Sequence, residues 1–257
     1  MILSLDEIKE FLEEKHDLYN QPSFIETDPI QIPHTFSTKE DIEIAAFLTA
    51  CIAWGQRSTI IRNAFVIMAL LEYAPHDFVV NHTSTDLKRL NSFVHRTFNG
   101  TDLQFFIRSL KHIYLKHDGL EQLFLEGYKN GNSIYNSLAH FRETFFEIPF
   151  ESRSAKHISS VVKGSAAKRL NMFLMWMIRK DKRGVHFGLW PEFSTAKLRI
   201  PLDVHSGNTA RKLGLLKRKQ NDWKAVHELS FKLKQFDEAD PIRFDFALFG
   251  LGVFEKF

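Results

Sequence analysis

The sequence contains a single cysteine, Cys51, in 257 residues. One thiol excludes an internal disulfide and any four-thiolate metal or iron–sulfur centre built from this chain alone. This cysteine usage suits a reducing compartment, so we expect a cytoplasmic location. No apolar run approaches the length of a membrane-spanning helix, and the acidic N-terminus lacks the layout of a secretory signal.

Motifs for metals and nucleotides are also missing. The twelve histidines include no HExxH pair and no His-x-Glu combined with cysteines. The sequence has no glycine-rich loop of the kind that holds nucleotide phosphates. We therefore predict that the protein uses no metal and no cofactor.

What is present is a helical pattern. An apolar content of 44% with 25% charged residues is that of an ordinary globular protein. Almost every segment repeats its apolar residues at three- to four-residue spacing, and the extended run 198–202 is too short for a sheet. The 25 phenylalanines favour a helical bundle packed with aromatic side chains. We predict an all-α fold whose first helix carries the apolar residues Ile8, Leu12 and Leu18 at three- to four-residue spacing or its multiples.

Charge is distributed unevenly along the chain. Residues 1–43 hold three Lys or Arg against eleven Asp or Glu, whereas residues 151–183 hold nine against two. Residues 206–219 add five basic side chains and no acidic one. Such clustering is expected where a protein contacts a phosphate backbone. The alternative is a solvated basic face balanced by acidic surface elsewhere.

Lys168 occupies an unusual position for a lysine. It follows Gly164 and Ser165, and Ser165 is predicted to cap a helix whose apolar stripe begins at Leu170. Lys168 would then lie in the first turn and point away from that stripe. The positive end of the helix dipole disfavours a cation there, which favours the neutral, nucleophilic amine. Taken alone, a solvated surface lysine is the simpler interpretation.

Asp203 follows Pro201 and precedes a helical run that ends at Gly214. We predict that Asp203 is the N-cap of this helix and that Gly214 takes the C′ position. Backbone N–H groups at a cap would keep the carboxylate ionised. Most capping aspartates have no further role, and the spacing alone does not bring Asp203 to Lys168.

The segments GSAAKRLNMFL and PLDVHSGNTARKLGL resemble the helix–hairpin–helix DNA glycosylases of the endonuclease III type. In that superfamily a glycine-rich hairpin leads into a helix with a catalytic lysine, and a short loop then supplies a catalytic aspartate. Lys168 matches the lysine and Asp203 the aspartate. The wide spacing between them and the all-α ending are most similar to the archaeal 8-oxoguanine DNA glycosylases. The chain as a whole resembles an uncharacterised bacterial family.

Three features depart from the superfamily pattern. Ala166 stands where the hairpin usually has its second glycine, and the segment 179–200 is an insertion that many relatives lack. The four-cysteine cluster of some members is absent. The resemblance implies two helical lobes with a cleft between them, formed by 44–146 and by 1–43 together with 147–257. The helix–hairpin–helix motif would lie in the second lobe.

The resemblance also implies roles for further residues. Contacts with the DNA backbone would come from Lys163, Gly164, Ser165, Arg169, His205 and Arg211. Contacts with the extruded base would come from Gln56, Asp245 and Phe249. Apart from the resemblance, Trp190 is an aromatic residue that could stack a purine. The structural alternatives are a polar turn between helices for Gln56, a satisfied carboxylate for Asp245, and core packing for the two aromatic residues.

The implied function is a DNA glycosylase with AP lyase activity, acting as a monomer on double-stranded DNA that contains an oxidised purine such as 8-oxoguanine. Two alternatives stay open. One is a helix–hairpin–helix protein that binds nucleic acid without chemistry. The other is a monofunctional glycosylase in which Asp203 activates water.

Overall fold

The structure, a computed structural model, describes residues 4–257. This part of the chain is mostly helical, and the all-α prediction is confirmed. The α-helices are α1 Leu5–Tyr19, α2 Ser23–Thr27, α3 Lys39–Cys51, α4 Arg57–Leu70, α5 Pro75–Asn81, α6 Ser84–Arg89, α7 Gly100–Lys116, α8 Gly119–Lys129, α9 Ile134–Phe145, α10 Lys168–Ile178, α11 Val204–Lys212, α12 Trp223–Lys234 and α13 Asp245–Val253. None of the helices in the described residues is both long and apolar enough to cross a membrane.

Short elements connect these helices. Six 3₁₀ segments lie in the described residues, at Pro29–Gln31, Pro33–Thr35, Leu90–Ser92, Ser152–His157, Thr195–Lys197 and Pro241–Phe244. Two strands of two residues each, β1 Val94–His95 and β2 Phe98–Asn99, pair antiparallel before α7.

The chain divides into two compact units. The first unit comprises the described residues of Met1–Phe24 together with Val161–Phe257, and the second unit is Ile25–Ser160. The second unit is longer at both ends than the 44–146 lobe predicted from sequence. The cleft between lobes stays a prediction.

Aromatic side chains form the core of the second unit. Phe47, Phe106, Phe141 and Phe145 are fully buried. Phe47 meets Phe141 edge to face with ring centroids 5.5 Å apart, and Phe106 meets Phe145 in the same way at 4.9 Å. These contacts join α3, α7 and α9, because each helix contributes rings to the same cluster.

Helix α1 begins the first unit with a complete capping box. The Ser4 side chain accepts from Glu7 N–H, and the Glu7 carboxylate accepts from Ser4 N–H at 2.7 Å. Ile8 and Leu12 are buried, whereas Leu18 is 56% exposed. His16, four residues after Leu12, continues the buried stripe of this helix.

The insertion 179–200 is part of the packed first unit. Its backbone N–H groups at Phe187 and Leu189 donate to the carbonyls of Trp176 and Met177, at 2.9 and 2.7 Å. These carbonyls lie in the last turn of α10, where no partner within the helix is available. The insertion also supplies Trp190, which is fully buried. It therefore completes both the end of α10 and the core around it.

Arg179, directly after α10, is a buried cation with only 2% of its side chain exposed. Its Nε donates to Asp240 Oδ2 at 2.8 Å, and its Nη1 donates to Asp181 Oδ2 at 2.9 Å. The guanidinium also lies over the ring of Phe246, 5.7 Å from the centroid. Burial raises the pKa of Asp240, while Arg179 acts in the opposite direction. Asp240 is at the N-cap position before Pro241, but its carboxylate binds Arg179 instead of capping.

A hydrogen-bond chain connects this ion cluster to α1. Asn20 Nδ2 donates to Asp181 Oδ2 at 2.6 Å and lies 3.1 Å from His16 Nε2. Burial opposes the ionisation of Asp181, but bonds from Asn20 and the Arg183 backbone, with the charge of Arg179, lower its pKa to about 2. Burial also lowers the pKa of His16 to about 4, and the charges of Arg243, Arg179 and Arg183 act in the same direction. A neutral His16 ring suits this position, since Nε2 can then accept from Asn20.

Arg179→Met should lower the free energy of unfolding by about 3–5 kcal/mol, because it leaves two largely buried carboxylates without their cation. Urea unfolding followed by circular dichroism measures this change. Lys182→Met, which removes an exposed cation three residues away, should change stability by less than about 0.5 kcal/mol. Equal effects of the two substitutions would contradict the role given to Arg179.

His16 should make the protein less stable in mild acid. Its pKa is about 4 in the folded chain against 6.5 unfolded, so its contribution is complete above pH 6.5 and is lost as the pH falls towards 4. The loss amounts to at most about 3 kcal/mol. Urea unfolding of the wild type and of His16→Gln at several pH values between 6.5 and 4 tests this loss of stability. If the free energy of unfolding depended on pH in the same way in both proteins, His16 would not be the cause of the loss.

Candidate active site

The segment before α10 forms a tight turn. Gly164 N–H donates to the carbonyl of Val161 at 2.9 Å, and Gly164 has a φ of +83°, a left-handed value that glycine adopts without steric cost. Ser165 was predicted to cap α10, and this prediction is wrong. Its hydroxyl accepts from Ala167 N–H at 3.2 Å, and Ala167 itself is the N-cap residue. The serine closes the turn before the helix begins.

The alanine that replaces a hairpin glycine does not take the strained conformation. Among the positive-φ residues of 4–257, the hairpin contributes Gly164 and Ala167, with φ of +47° at Ala167, but not Ala166. Buried Asn171 supports the turn, because its Nδ2 donates to the Ala166 carbonyl at 3.0 Å. Ala166 therefore fits this turn without a left-handed backbone conformation. Asn171 was not recognised from sequence, since its amide lies within an apolar helical stripe.

Lys168 is the first residue of α10 and is partly exposed. Its Nζ lies 3.5 Å from Met172 Sδ, one turn further along the helix. The N-terminus of α10 has no side-chain cap. Its first backbone N–H groups therefore lack partners within the helix and favour an anion beside Lys168.

Asp203 caps α11 as predicted. Its Oδ1 accepts from Ser206 N–H at 2.9 Å, and Ser206 Oγ accepts from Asp203 N–H at 3.1 Å. The helix ends at the predicted glycine, where Gly214 has a φ of +71° and its N–H donates to the Arg211 carbonyl at 3.0 Å. The cap fixes the Asp203 carboxylate at the start of α11, where it is partly exposed.

One loop connects the hairpin with the Asp203 cap. Asn221 Nδ2 donates to the Asp203 carbonyl at 2.9 Å, and Trp223 N–H donates to the Gly164 carbonyl at 2.9 Å. Asn221 and Trp223 are two residues apart, so their Cα atoms are at most about 7 Å apart. The turn before Lys168 and the cap at Asp203 are therefore held by the same three-residue segment. Sequence analysis missed both loop residues, because neither carries a local motif.

Arg211 holds this loop in place. Its Nη2 donates to Asn221 Oδ1 at 2.6 Å, and its Nε donates to the Arg218 carbonyl at 2.8 Å. Arg218 in turn pairs with Asp222, and this hydrogen bond is the main cause that lowers the pKa of Asp222 to about 2. Arg211 was predicted to contact the DNA backbone. In the structure its guanidinium is used within the protein.

Asp245 and Phe249 lie one turn apart on α13, and both are partly exposed. The Phe249 ring meets the His205 ring edge to face, with centroids 6.4 Å apart. Helices α11 and α13 approach closely, since a Cβ at Gly252 would lie 3.0 Å from His205 Cβ. The structure thus brings Phe249 to the first turn of the helix that Asp203 caps.

The basic segments carry less unpaired charge than their composition indicates. Arg179 and Arg183 form internal ion pairs with Asp181 and Asp17. In the second unit, Arg153 pairs with buried Asp102 at 2.7 Å. Near the turn before α10, the side chains of Lys163, Lys168 and Arg169 are exposed or partly exposed.

Trp190 and Gln56 were also predicted to contact the base. Trp190 has no exposed surface, and its ring packs against Phe173 and Phe193 at centroid distances of 5.4 and 5.6 Å. No face of this indole is available to a base, and the core alternative applies. Gln56 is exposed at the start of α4 and belongs to the second unit.

A groove of about 580 Å³ lies at the opposite end of α11 from Asp203. Its lining includes Gly214, His227 and Phe231. None of the predicted site residues lines it.

The first unit thus presents a lysine after a tight turn, a capping aspartate and a partly exposed aromatic ring on helices of an all-α chain. The chain belongs to a family described as "Protein of unknown function (DUF2400)", whose model matches residues 28–254. No curated protein and no solved structure matches it.

Asp203→Ala should lower the free energy of unfolding by about 1 kcal/mol, because it removes the acceptor for Ser206 N–H. Asp203→Asn should cost much less, since asparagine caps helices nearly as well as aspartate. Thermal or urea unfolding of the two variants measures the difference. If both variants were equally destabilised, the charge rather than the cap would be responsible.

Proposed function

We propose that this protein is a DNA glycosylase with AP lyase activity, and that its substrate is an oxidised purine such as 8-oxoguanine in double-stranded DNA. Lys168 is the amine nucleophile, and Asp203 is the carboxylate that assists it. The observation that carries this proposal is the segment Asn221–Trp223, which binds the turn before Lys168 and the cap at Asp203.

The environment of Lys168 supports a role with a phosphodiester substrate. The uncapped start of α10 offers backbone N–H donors beside Lys168, and Lys163 and Arg169 add positive charge. This combination stabilises a phosphate near the amine. His205, exposed in the first turn of α11, lies within reach of the same strand if the backbone follows the hairpin.

The base would be extruded from the duplex, because its glycosidic bond is inaccessible within the stack. Phe249 offers a partly exposed ring beside His205, and Asp245 lies one turn before it with a carboxylate acceptor. An aromatic face with an acceptor on the same side of a helix can stack and hydrogen-bond a purine. In this proposal, Phe249 and Asp245 recognise the base.

The reaction begins when the neutral Lys168 amine attacks C1′ of the sugar. A new N–C1′ bond forms, and the glycosidic bond breaks with its electron pair going to the base, which takes up a proton. Asp203 stabilises the positive charge that develops on the sugar, and it accepts a proton from the amine. Ring opening yields a Schiff base. Loss of a C2′ proton then expels the 3′ phosphate, and water hydrolyses the imine.

Borohydride trapping tests the nucleophile. Wild-type protein with an 8-oxoguanine or abasic duplex should give a covalent adduct, and Lys168→Gln should abolish it. Lys182→Gln, which removes another exposed lysine charge from the same unit, should leave trapping unchanged. Asp203→Asn keeps the cap and should lower the rate of base release by about 100-fold or more.

The other outcomes separate the alternatives. Base release without a trapped adduct would reject the lyase step and assign a monofunctional reaction to Asp203. Tight duplex binding with neither product, across oxidised, alkylated and deaminated bases, would reject catalysis and leave a nucleic-acid-binding protein. An adduct that survives in Lys168→Gln would place the nucleophile elsewhere.

A further inference from the structure

Three histidines and two glutamates from distant parts of the sequence meet on the second unit. His112 lies in α7, His117 is the residue that ends α7, and Glu147 follows α9. One potential ligand atom from each of these three residues lies within 4.8 Å of the others. Glu126 of α8 and His140 of α9 lie beside them.

We propose that His112, His117 and Glu147 form a binding site for a divalent transition-metal ion, for which Zn²⁺ is the first probe. His112 Nε2 is 3.0 Å from Glu147 Oε2, and His117 Nε2 is 4.0 Å from the same oxygen. Ligand atoms around a tetrahedral zinc ion are about 3.3 Å apart, given bonds of about 2.0–2.1 Å. Small side-chain rotations therefore suffice to reach that geometry.

The donor set selects the class of metal. Two imidazoles with one carboxylate suit zinc, cobalt, nickel and copper, whereas magnesium and calcium prefer all-oxygen ligands. His112 and His117 retain 25% and 22% side-chain exposure, and Glu147 retains 52%. An ion can thus enter from solvent, and a water molecule can complete the coordination.

A neighbouring carboxylate is placed to orient one ligand. His117 Nδ1 lies 3.8 Å from Glu126 Oε2, while its Nε2 faces Glu147. Metal-binding histidines commonly donate their second ring N–H to such a carboxylate, which fixes the tautomer and raises ligand basicity. Gln122 Nε2 and His140 Nε2 lie 3.5 and 3.4 Å from the Glu126 carboxylate oxygens. Glu126 is therefore a positioning residue.

The backbone that carries the three ligands is held firmly. Ser109, one turn before His112, donates from Oγ to the Phe145 carbonyl at 2.6 Å, and this bond is buried. Phe146, next to Glu147, stacks on Phe105 with centroids 5.4 Å apart. These contacts fix the end of α9 against α7. A site on a packed scaffold of this kind needs little reorganisation to bind an ion.

The alternative is a cluster of surface ion pairs between protonated histidines and glutamates. The sequence alone favours neither, because the five residues follow no metal-binding spacing. The two interpretations differ in one measurable respect. A metal site binds one Zn²⁺ per chain, and substitution of each ligand residue weakens that binding. A cluster of ion pairs binds no Zn²⁺.

Zinc binding to the full chain should be measured by calorimetry and by competition with a chromophoric chelator. One Zn²⁺ per chain is expected, and Mg²⁺ should not compete. His112→Ala, His117→Ala and Glu147→Gln should each weaken binding by more than 10-fold, and Glu126→Gln by about 10-fold. His227 is an exposed histidine of the first unit. Its variant His227→Ala is the matched control and should bind Zn²⁺ as tightly as the wild type does.

Cobalt provides a test that needs no variant. Co²⁺ in the wild-type site should give the visible spectrum of a nitrogen and oxygen ligand set, without a thiolate charge-transfer band, since the single cysteine, Cys51, is buried. No zinc uptake, uptake unchanged in the His112→Ala/His117→Ala double variant, or a thiolate band would each overturn the proposal. Activity of the Lys168 site enters none of these readouts.

Discussion

The buried guanidinium of Arg179 is the interaction on which the first unit depends. A cation with 2% exposure is tolerated only with close counter-charges, because its desolvation costs several kcal/mol. Asp181 and Asp240 supply them, so the cluster joins the segment 179–200, which follows α10 directly, to the segment before α13. Since α10 carries Lys168 and α13 carries Phe249, the same ion cluster sets the positions of two parts of the candidate site.

The candidate site itself is assembled by hydrogen bonds that cross long stretches of chain. Asn221 binds the Asp203 carbonyl and Trp223 binds the Gly164 carbonyl. Arg211 contributes to this support through its hydrogen bond to Asn221. Net charge along the sequence therefore overstates the basic surface, because several arginines neutralise carboxylates within the fold.

Local signals in the sequence were sufficient for several elements. The Asp203 cap and the C′ position of Gly214 depend on residues three to five positions apart, so their geometry follows from short-range hydrogen bonds. The prediction for Ser165 was wrong even at this range, because its hydroxyl closes a turn before the helix. The spacing of apolar residues did not indicate that His16, and not Leu18, continues the buried stripe of Ile8 and Leu12.

By itself, the sequence determined an all-α chain with one thiol, with capped helices at known positions and with Lys168 at the start of a helix. Tertiary structure alone decided that Arg179 and His16 are buried in one network, that Trp190 is core, and that His112, His117 and Glu147 lie together. The reason is physical. Helix starts follow from bonds between near neighbours, whereas desolvation and ligand geometry depend on which distant helices pack against each other.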